Sequence, residues 1–398
     1  MTDFAFAVTS LLFNRPEESE RFLSSLEAQS VGFRPDKLFF SVDGYAGSKD
    51  EHLGRADRTA EVAGLVRRYF PDSALQVRES NLGIARHFDS AESQAFSGSG
   101  EWAVFLEDDF VLAPNYFAAL ERVIDYVGPN ERVAIASATG DTRIEPTRGD
   151  DTLYPMDHAW AFALRRSHYV ERQHLLGRYV ESISHDSYFR RDDDAVYAGL
   201  VPEGLLPLGT SQDSIKQAIR RKTGRLAVTT GSPYGTYVGA DGEHFNQEIF
   251  DALGYSSPRA AASELPRFQE PLDELISALS DEEDVMWAGQ MRATWAALES
   301  ARDRSEQERQ EANATIAALS DDMEPLRASV ERLSRENERL SADIGHLRGE
   351  VAATTDRAVR AETRANAAEE DAAELRRTAS WRLTAPLRSA QARLRRRG

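Results

Sequence analysis

The sequence predicts a mixed α/β head built on a mostly parallel sheet, then a parallel two-stranded coiled coil and a basic tail. Three observations carry this. Short apolar runs alternate with helical patterns from Phe4 to Phe250, a heptad repeat takes over near Ile316, and the run "EWAVFLEDDF" ends on three adjacent carboxylates, Glu107, Asp108 and Asp109.

In chain order the head reads "FAFAVTSLLF", "ESERFLSSLEAQ", "KLFFSV", "TAEVAGLVRRYF", "ALQVRE", "LGIARHFDSAESQAF", "WAVFLE", "YFAALERVIDYV" and "VAIASA". Such β-α-β alternation is the pattern of a parallel sheet with helices on both faces. Ligands of such sheets gather at the carboxyl ends of the strands. Arg15, Asp43, Asn81 and the Glu107 to Asp109 triplet all stand where predicted strands end.

The expected head is 1–250. Over 251–299 the pattern loosens into "SSPRAAASELPRFQEP" and "SDEED", a linker with helical segments. Over 300–376 a coiled coil is expected: Ile316, Met323, Val330, Asn337, Ile344 and Val351 fill heptad position a, and Leu319, Leu326, Leu333, Leu340 and Leu347 fill d. Branched residues at a, leucine at d and one Asn at a favour a parallel dimer, so the chain is expected to form a homodimer. Pro325 should kink or delay the helix, so the clean coil is expected from Leu326. Some fifty residues at about 1.5 Å each make a rod of roughly 75 Å.

The tail, 377–398, is basic throughout, with Trp381, Leu383, Leu387 and Leu394 interleaved among arginines. Such a segment can lie on an anionic membrane surface or remain a solvated basic tail. The whole chain of 398 residues is 41% hydrophobic and carries a formal net charge of -18, which argues against a protein that tracks nucleic acid. Cysteine is absent, so thiolate metal sites, disulfides and cysteine nucleophiles are excluded. The first residues make a poor signal peptide, and no apolar run is long enough to span a bilayer. The expected location is cytoplasmic, peripheral on the inner face of the membrane.

Carboxylates about 5 Å apart repel by roughly 3 kcal/mol at an effective dielectric near 20, so the triplet needs a positive partner unless it is simply hydrated. A hard divalent ion, Mn2+ or Mg2+, would relieve the repulsion and hold a nucleotide diphosphate.

"FNRP", "SVDG", "IARHF" and "FLEDDFVLAPNYF" resemble, in order and spacing, motifs of the inverting N-acetylglucosaminyltransferase I group of glycosyltransferases. The resemblance covers residues from about 4 to 250. It implies the GT-A fold, a nucleotide-sugar donor of the UDP type, a divalent metal and a saccharide or envelope-polymer acceptor. It also implies that Arg15 and Asp43 touch the nucleotide, Asp43 accepting from a uracil ring nitrogen, and that Asp109 ligates the metal with Glu107 and Asp108 nearer the sugar and ribose. Arg86 and His87 could face the phosphates or cap a helix, and Asp43 could be a turn former before Gly44.

"TSQDSIKQAIRR" resembles the family's base-bearing stretch and puts Asp213 in the role of general base; an acid there could equally serve the helix dipole. Gln212 and Ser214 depart from the family pattern, which has a second acid and an aromatic there. "GADGEHF" places His244 as a metal or phosphate contact or an exposed loop residue. "YPMDHAWAFAL" is similar to the acceptor-side segment and supplies Asp157 and Trp160, the latter as a wall for a sugar ring or as core. Two other readings stand beside the transferase: a coiled-coil tether with a nucleotide-sugar-binding head, and a nucleotidyltransferase. The lack of an early Gly-rich phosphate loop leans against the last.

Overall fold

The structure is a computed structural model that describes residues 3–141, 152–156, 158–183, 188–205, 207–240, 247–377 and 388. It divides into two compact units, Met1–Leu298 and Glu299–Gly398.

The first unit opens with β1 (Ala7–Leu12), α1 (Pro16–Glu27), β2 (Leu38–Val42), α2 (Lys49–His52), α3 (Thr59–Tyr69), β3 (Ala74–Val77), α4 (Gly83–Ala95) and β4 (Trp102–Glu107). It continues through β5 (Phe110–Leu112), α5 (Tyr116–Val127), β6 (Val133–Ala136), β7 (Leu153–Pro155), β8 (Ala161–Arg165), α6 (Arg166–Ser182) and α7 (Asp193–Leu200). Then come α8 (Gln212–Lys222), β9 (Leu226–Thr230), β10 (Gly235–Tyr237), α9 (Gln247–Ala252) and the start of α10 (Leu272–Arg377).

Eight strands form one sheet in the order β3-β2-β1-β4-β8-β6-β9-β7, and β10 pairs with β5 in a small second sheet. The block β3-β2-β1-β4 is parallel throughout. Here the expectation of a mostly parallel sheet meets a limit: β8 inserts antiparallel between β4 and β6, and β7 runs antiparallel to β9. Strand direction depends on how the chain returns to the sheet, which a run such as "AFALR" does not record.

Both faces of the central sheet are buried, as the near-continuous apolar runs require. Along β4, Trp102, Val104 and Leu106 enter one core layer with Phe22, Leu26, Leu120 and Val123 of α1 and α5. Ala103 and Phe105 enter the opposite layer with Phe88 and Phe162. This is the two-residue alternation of a pleated strand, with side chains sent to opposite faces. A third apolar cluster joins α6, α7 and α8 through Leu176, Tyr179, Val196 and Ile219.

The segment expected to be a linker is packed against the head instead. Tyr126 stacks on Phe268 with ring centroids 4.7 Å apart, and the Tyr234 hydroxyl donates to the Glu264 carbonyl at 2.7 Å. Leu275, Ile276 and Leu279 at the start of α10 are buried, and Arg220 pairs with Glu283. The aromatic, backbone and ion-pair contacts leave no periodic signature in the sequence, and the helical spacing of Leu275, Ile276 and Leu279 does not record what that face packs against. Helix α10 also runs through Pro325 rather than starting after it. An internal proline costs about 3 kcal/mol, and the long helix on both sides carries that cost.

In the second unit α10 exposes its apolar residues. Its five d-position leucines from Leu319 to Leu347 are between 48% and 65% exposed. No helix among the described residues is long and apolar enough to cross a membrane. Residues 389–398 and most of the tail before them lie outside the described residues, as do its apolar positions.

Candidate active site

Strands are added in one direction from β1 to β2 to β3, and the chain then crosses back to place β4 on the other side of β1. A crevice forms outside the carboxyl ends of the two strands flanking such a reversal. Leu11 and Glu107 are register partners, so the residues that follow β1 and β4 emerge side by side. That adjacency brings Arg15 to the acidic triplet across more than ninety residues of sequence.

Arg15 precedes Pro16, which opens α1, and its backbone is non-helical at φ -121° and ψ 76°. A proline ring disfavours the helical region for the residue before it, so Arg15 stays out of the helix at its N-terminal end. Its guanidinium pairs with Asp108 and lies 3.4 Å from Asp109 Oδ2. Ser19, one turn into α1, donates its hydroxyl to Asp108 Oδ2 at 3.1 Å. Part of the positive charge that the triplet demands is therefore the protein's own. Burial pulls the Arg15 pKa down, but Asp108 and Asp109 outweigh it and hold the group protonated.

The compensation is incomplete. Burial raises the Asp109 carboxyl above its ordinary value, with Arg15 opposing and Asp108 adding to the rise. Glu107 is raised well above the usual range, first by burial, then by Asp109 and Asp213. Among the described residues, Asp109 Oδ1 is buried without a hydrogen-bond partner. No three His, Asp or Glu side chains converge into a protein-only metal cage among the described residues. A hard divalent ion bound with a diphosphate needs only one or two carboxylates, the phosphates and waters supplying the rest. The orphaned Asp109 oxygen beside Glu107 fits that donor set.

Asp213 stands exposed in the first turn of α8, whose N-cap Ser211 accepts from the Ser214 N–H at 3.3 Å. Its carboxylate accepts from Gln212 Nε2 and acts on Glu107, so α8 brings an acid distant in sequence to the rim of the triplet. The chain after β10 closes the other side. Val238 N–H donates to the Asp109 carbonyl at 2.7 Å, and a Cβ at Gly239 would meet Tyr237 Oη at 2.5 Å and Asp109 Oδ2 at 2.9 Å. Only glycine lets this backbone lie against the carboxylate. His244 and Asp157 lie outside the described residues.

Trp160 departs from the expected sugar-facing wall. His158 stacks on it at 4.5 Å and 13°, and Tyr237 at 4.3 Å and 9°. Two rings that close and that parallel fit only on opposite faces of the indole, which leaves neither face for a sugar. The partner that covers it, Tyr237, comes from β10, far along the chain. Tyr255 completes the group by bonding His158 Nε2 at 2.9 Å.

Asp43 is buried at the end of β2, where its carboxylate accepts from the N–H groups of Gly44, Leu82 and Gly83 and from Asn81 Nδ2. An ionised carboxylate has about four acceptor sites, so a uracil ring nitrogen would have to displace one of these donors. The turn-forming alternative describes what this residue does here: it ties the β2 end to the start of α4. Arg86 is half-buried and donates Nε to the Leu82 carbonyl at 2.8 Å. His87 is core, 2.7 Å from Ser41 Oγ, and burial lowers its pKa to about 3.

Sequence reasoning missed Ser19, Tyr237 and an ion cluster under α8. Glu92 is fully buried, pairs with Arg172 and accepts from Lys216 Nζ at 2.9 Å, while that ammonium lies 4.2 Å from the Phe88 ring centroid. Burial would raise the Glu92 pKa, but Arg172 and Lys216 lower it. The cluster clamps α4, α6 and α8 together beneath Asp213. Ser19 had a faint signal, one helical turn beyond Arg15. The others had none, since each depends on a partner from a remote element.

No protein-family model matches the chain, and no curated protein matches it. Among solved structures, residues 1–349 of S. aureus TarS are 11% identical over 58% of this chain and 57% of that one, with a TM-score of 0.32. The mannosyltransferase PcManGT from Pyrobaculum calidifontis, in complex with GDP-Man and Mn2+, is 18% identical over 44% of this chain and 48% of that one, with a TM-score of 0.30. A further structure of S. aureus TarS is 14% identical over 43% of this chain and 30% of that one, with a TM-score of 0.30. The chain thus spans less than two thirds of each. Likeness of this degree carries no functional weight, which falls to the chemistry of the site.

Proposed function

We propose that the head is a metal-dependent glycosyltransferase that moves a sugar, with inversion, from a nucleotide-diphosphate donor of the UDP type to a hydroxyl of a saccharide or envelope polymer. The observation that carries this reading is the buried, unpartnered Asp109 Oδ1 at the β1/β4 crevice, with Glu107 beside it and Asp213 at the rim. A bound Mn2+ or Mg2+ would supply Lewis-acid stabilisation of charge on the departing diphosphate. Asp109 would hold that ion, with Glu107 and Asp108 toward the sugar and ribose. Arg15 pairs with Asp108 and holds it in place, and Arg86 stands at the start of α4 for the phosphates.

Asp213 takes the proton from the acceptor hydroxyl as that oxygen bonds to the anomeric carbon. The bond from carbon to phosphate oxygen breaks on the opposite face, and the diphosphate leaves with the electron pair. A single base on the acceptor side is what inversion requires. Asp157 and His244 complete the proposed acceptor and metal contacts. Attachment of the basic tail to the inner surface of an anionic membrane belongs to the same proposal.

Thermal shift of the full chain with nucleotide sugars and Mn2+ tests it. A donor at a hundredfold its dissociation constant stabilises by about 2.7 kcal/mol. The metal-dependent shift should vanish in Asp109→Asn, which keeps the shape but removes the charge. An equal shift in that variant would overturn the site.

A further inference from the structure

Past residue 299, α10 carries an apolar stripe that stands in solvent: Ile316, Val330, Ile344 and Val351 at a are 51–64% exposed, and the leucines at d no less than 48%. Leucines of the head core such as Leu23 and Leu120 are fully buried. We propose that this stripe is the seam of a parallel, in-register two-stranded coiled coil with a second copy of this chain. The inference does not depend on the enzymatic reading, because it rests on residues outside the head.

The charges flanking the stripe select both the partner and its direction. From residue 334 to residue 355, position g holds Glu336, Asp343 and Glu350, and position e holds Arg348 with Ser334, Ser341 and Thr355 neutral. In a parallel pair each g residue faces the e residue five places further on in the other strand. Asp343 then meets the partner's Arg348, Glu336 meets the partner's Ser341 and Glu350 the partner's Thr355. These contacts include one attraction on each side and no repulsion. In an antiparallel pair g faces g and e faces e, so whatever the register these acids meet only acids or neutral residues and Arg348 meets only an arginine or a neutral residue, and no attraction forms.

A second copy is favoured over a different partner because one chain holds both halves of the Asp343 and Arg348 pair. The two-fold axis of a homodimer forms that pair twice, which is the self-complementarity an isologous interface needs. Asn337 at a adds the same preference, since its side-chain amide finds a partner only opposite the partner's Asn337 in the matching register. Ile or Val at a with Leu at d is the combination that favours two strands.

The absence of cysteine makes a direct test available. Leu319→Cys and Leu347→Cys, made separately in the full chain, should each give a covalent dimer under mild oxidation, while Ala342→Cys on the outer face should not. An antiparallel pair brings at most one position opposite itself, so crosslinking of only one of the two seam variants would overturn the parallel direction. Sedimentation of the unmodified chain as a monomer at micromolar concentration would overturn the second copy as occupant. Arg348→Asp should weaken dimerisation about fivefold, the effect of two exposed pairs, and adding Asp343→Arg should restore it. Failure of the double variant to recover would show that charge does not set the direction. Far-UV circular dichroism on each variant separates lost pairing from lost helix.

Discussion

Replacing Arg15 by Gln should destabilise the head at neutral pH and make it more stable as the pH falls. The guanidinium lies 3.4 Å from Asp109 and closer to Asp108, and its side chain is 27% exposed against 2% for Asp108. At an effective dielectric near 20, a pair at that separation attracts by about 5 kcal/mol before desolvation. Removing one member of a buried pair costs about 3–5 kcal/mol, because the other charge is stranded. Allowing for partial solvent screening of Arg15, the expected loss is about 3 kcal/mol. For a unit of this size that corresponds to a melting temperature lower by roughly 5 °C.

The pH dependence has a definite sign. Asp109 and Glu107 already have folded pKa values above their ordinary ones, and the variant loses the charge that opposes the rise. A raised folded pKa means that the folded state binds more protons, so stability is greatest below the unfolded value near pH 4 and is lost as pH rises through the folded pKa. The difference between variant and parent should therefore narrow between neutral pH and about pH 4. Melting curves of both proteins across that range are the assay. Mn2+ should also stabilise the variant more than the parent, since it can replace the missing charge. An unchanged melting temperature for Arg15→Gln at neutral pH would refute the idea that Arg15 neutralises the triplet.

Asp213→Asn should keep metal-dependent donor binding and lose transfer by about 100- to 10,000-fold, the usual share of a general base; near-normal turnover would return the role to another acid. Gly239→Ala should lower stability and donor binding together, because the new methyl meets Tyr237 Oη and Asp109 Oδ2; the parent's melting temperature and donor titration provide the comparison. Glu92→Gln strands Arg172 and Lys216 and should cost about 3–5 kcal/mol by chemical denaturation, whereas an unchanged midpoint would mean the cluster is not a clamp.

Local pattern determined the element types. The two-residue alternation of "WAVFLE", the amphipathic runs between strands and the heptads of α10 are each written within a dozen residues, and each specifies which face must be buried. The position of the acidic triplet at a strand end was legible for the same reason. What the triplet touches was not. Arg15 reaches Asp108 because β1 and β4 are neighbours in the sheet, and that neighbourhood follows from the crossover after β3 rather than from either segment. Tertiary packing alone covered both faces of Trp160, filled the acceptor sites of Asp43 and set Asp213 near Glu107. Electrostatic and stacking energies depend on distance in space, and a linear sequence records distance only along the chain.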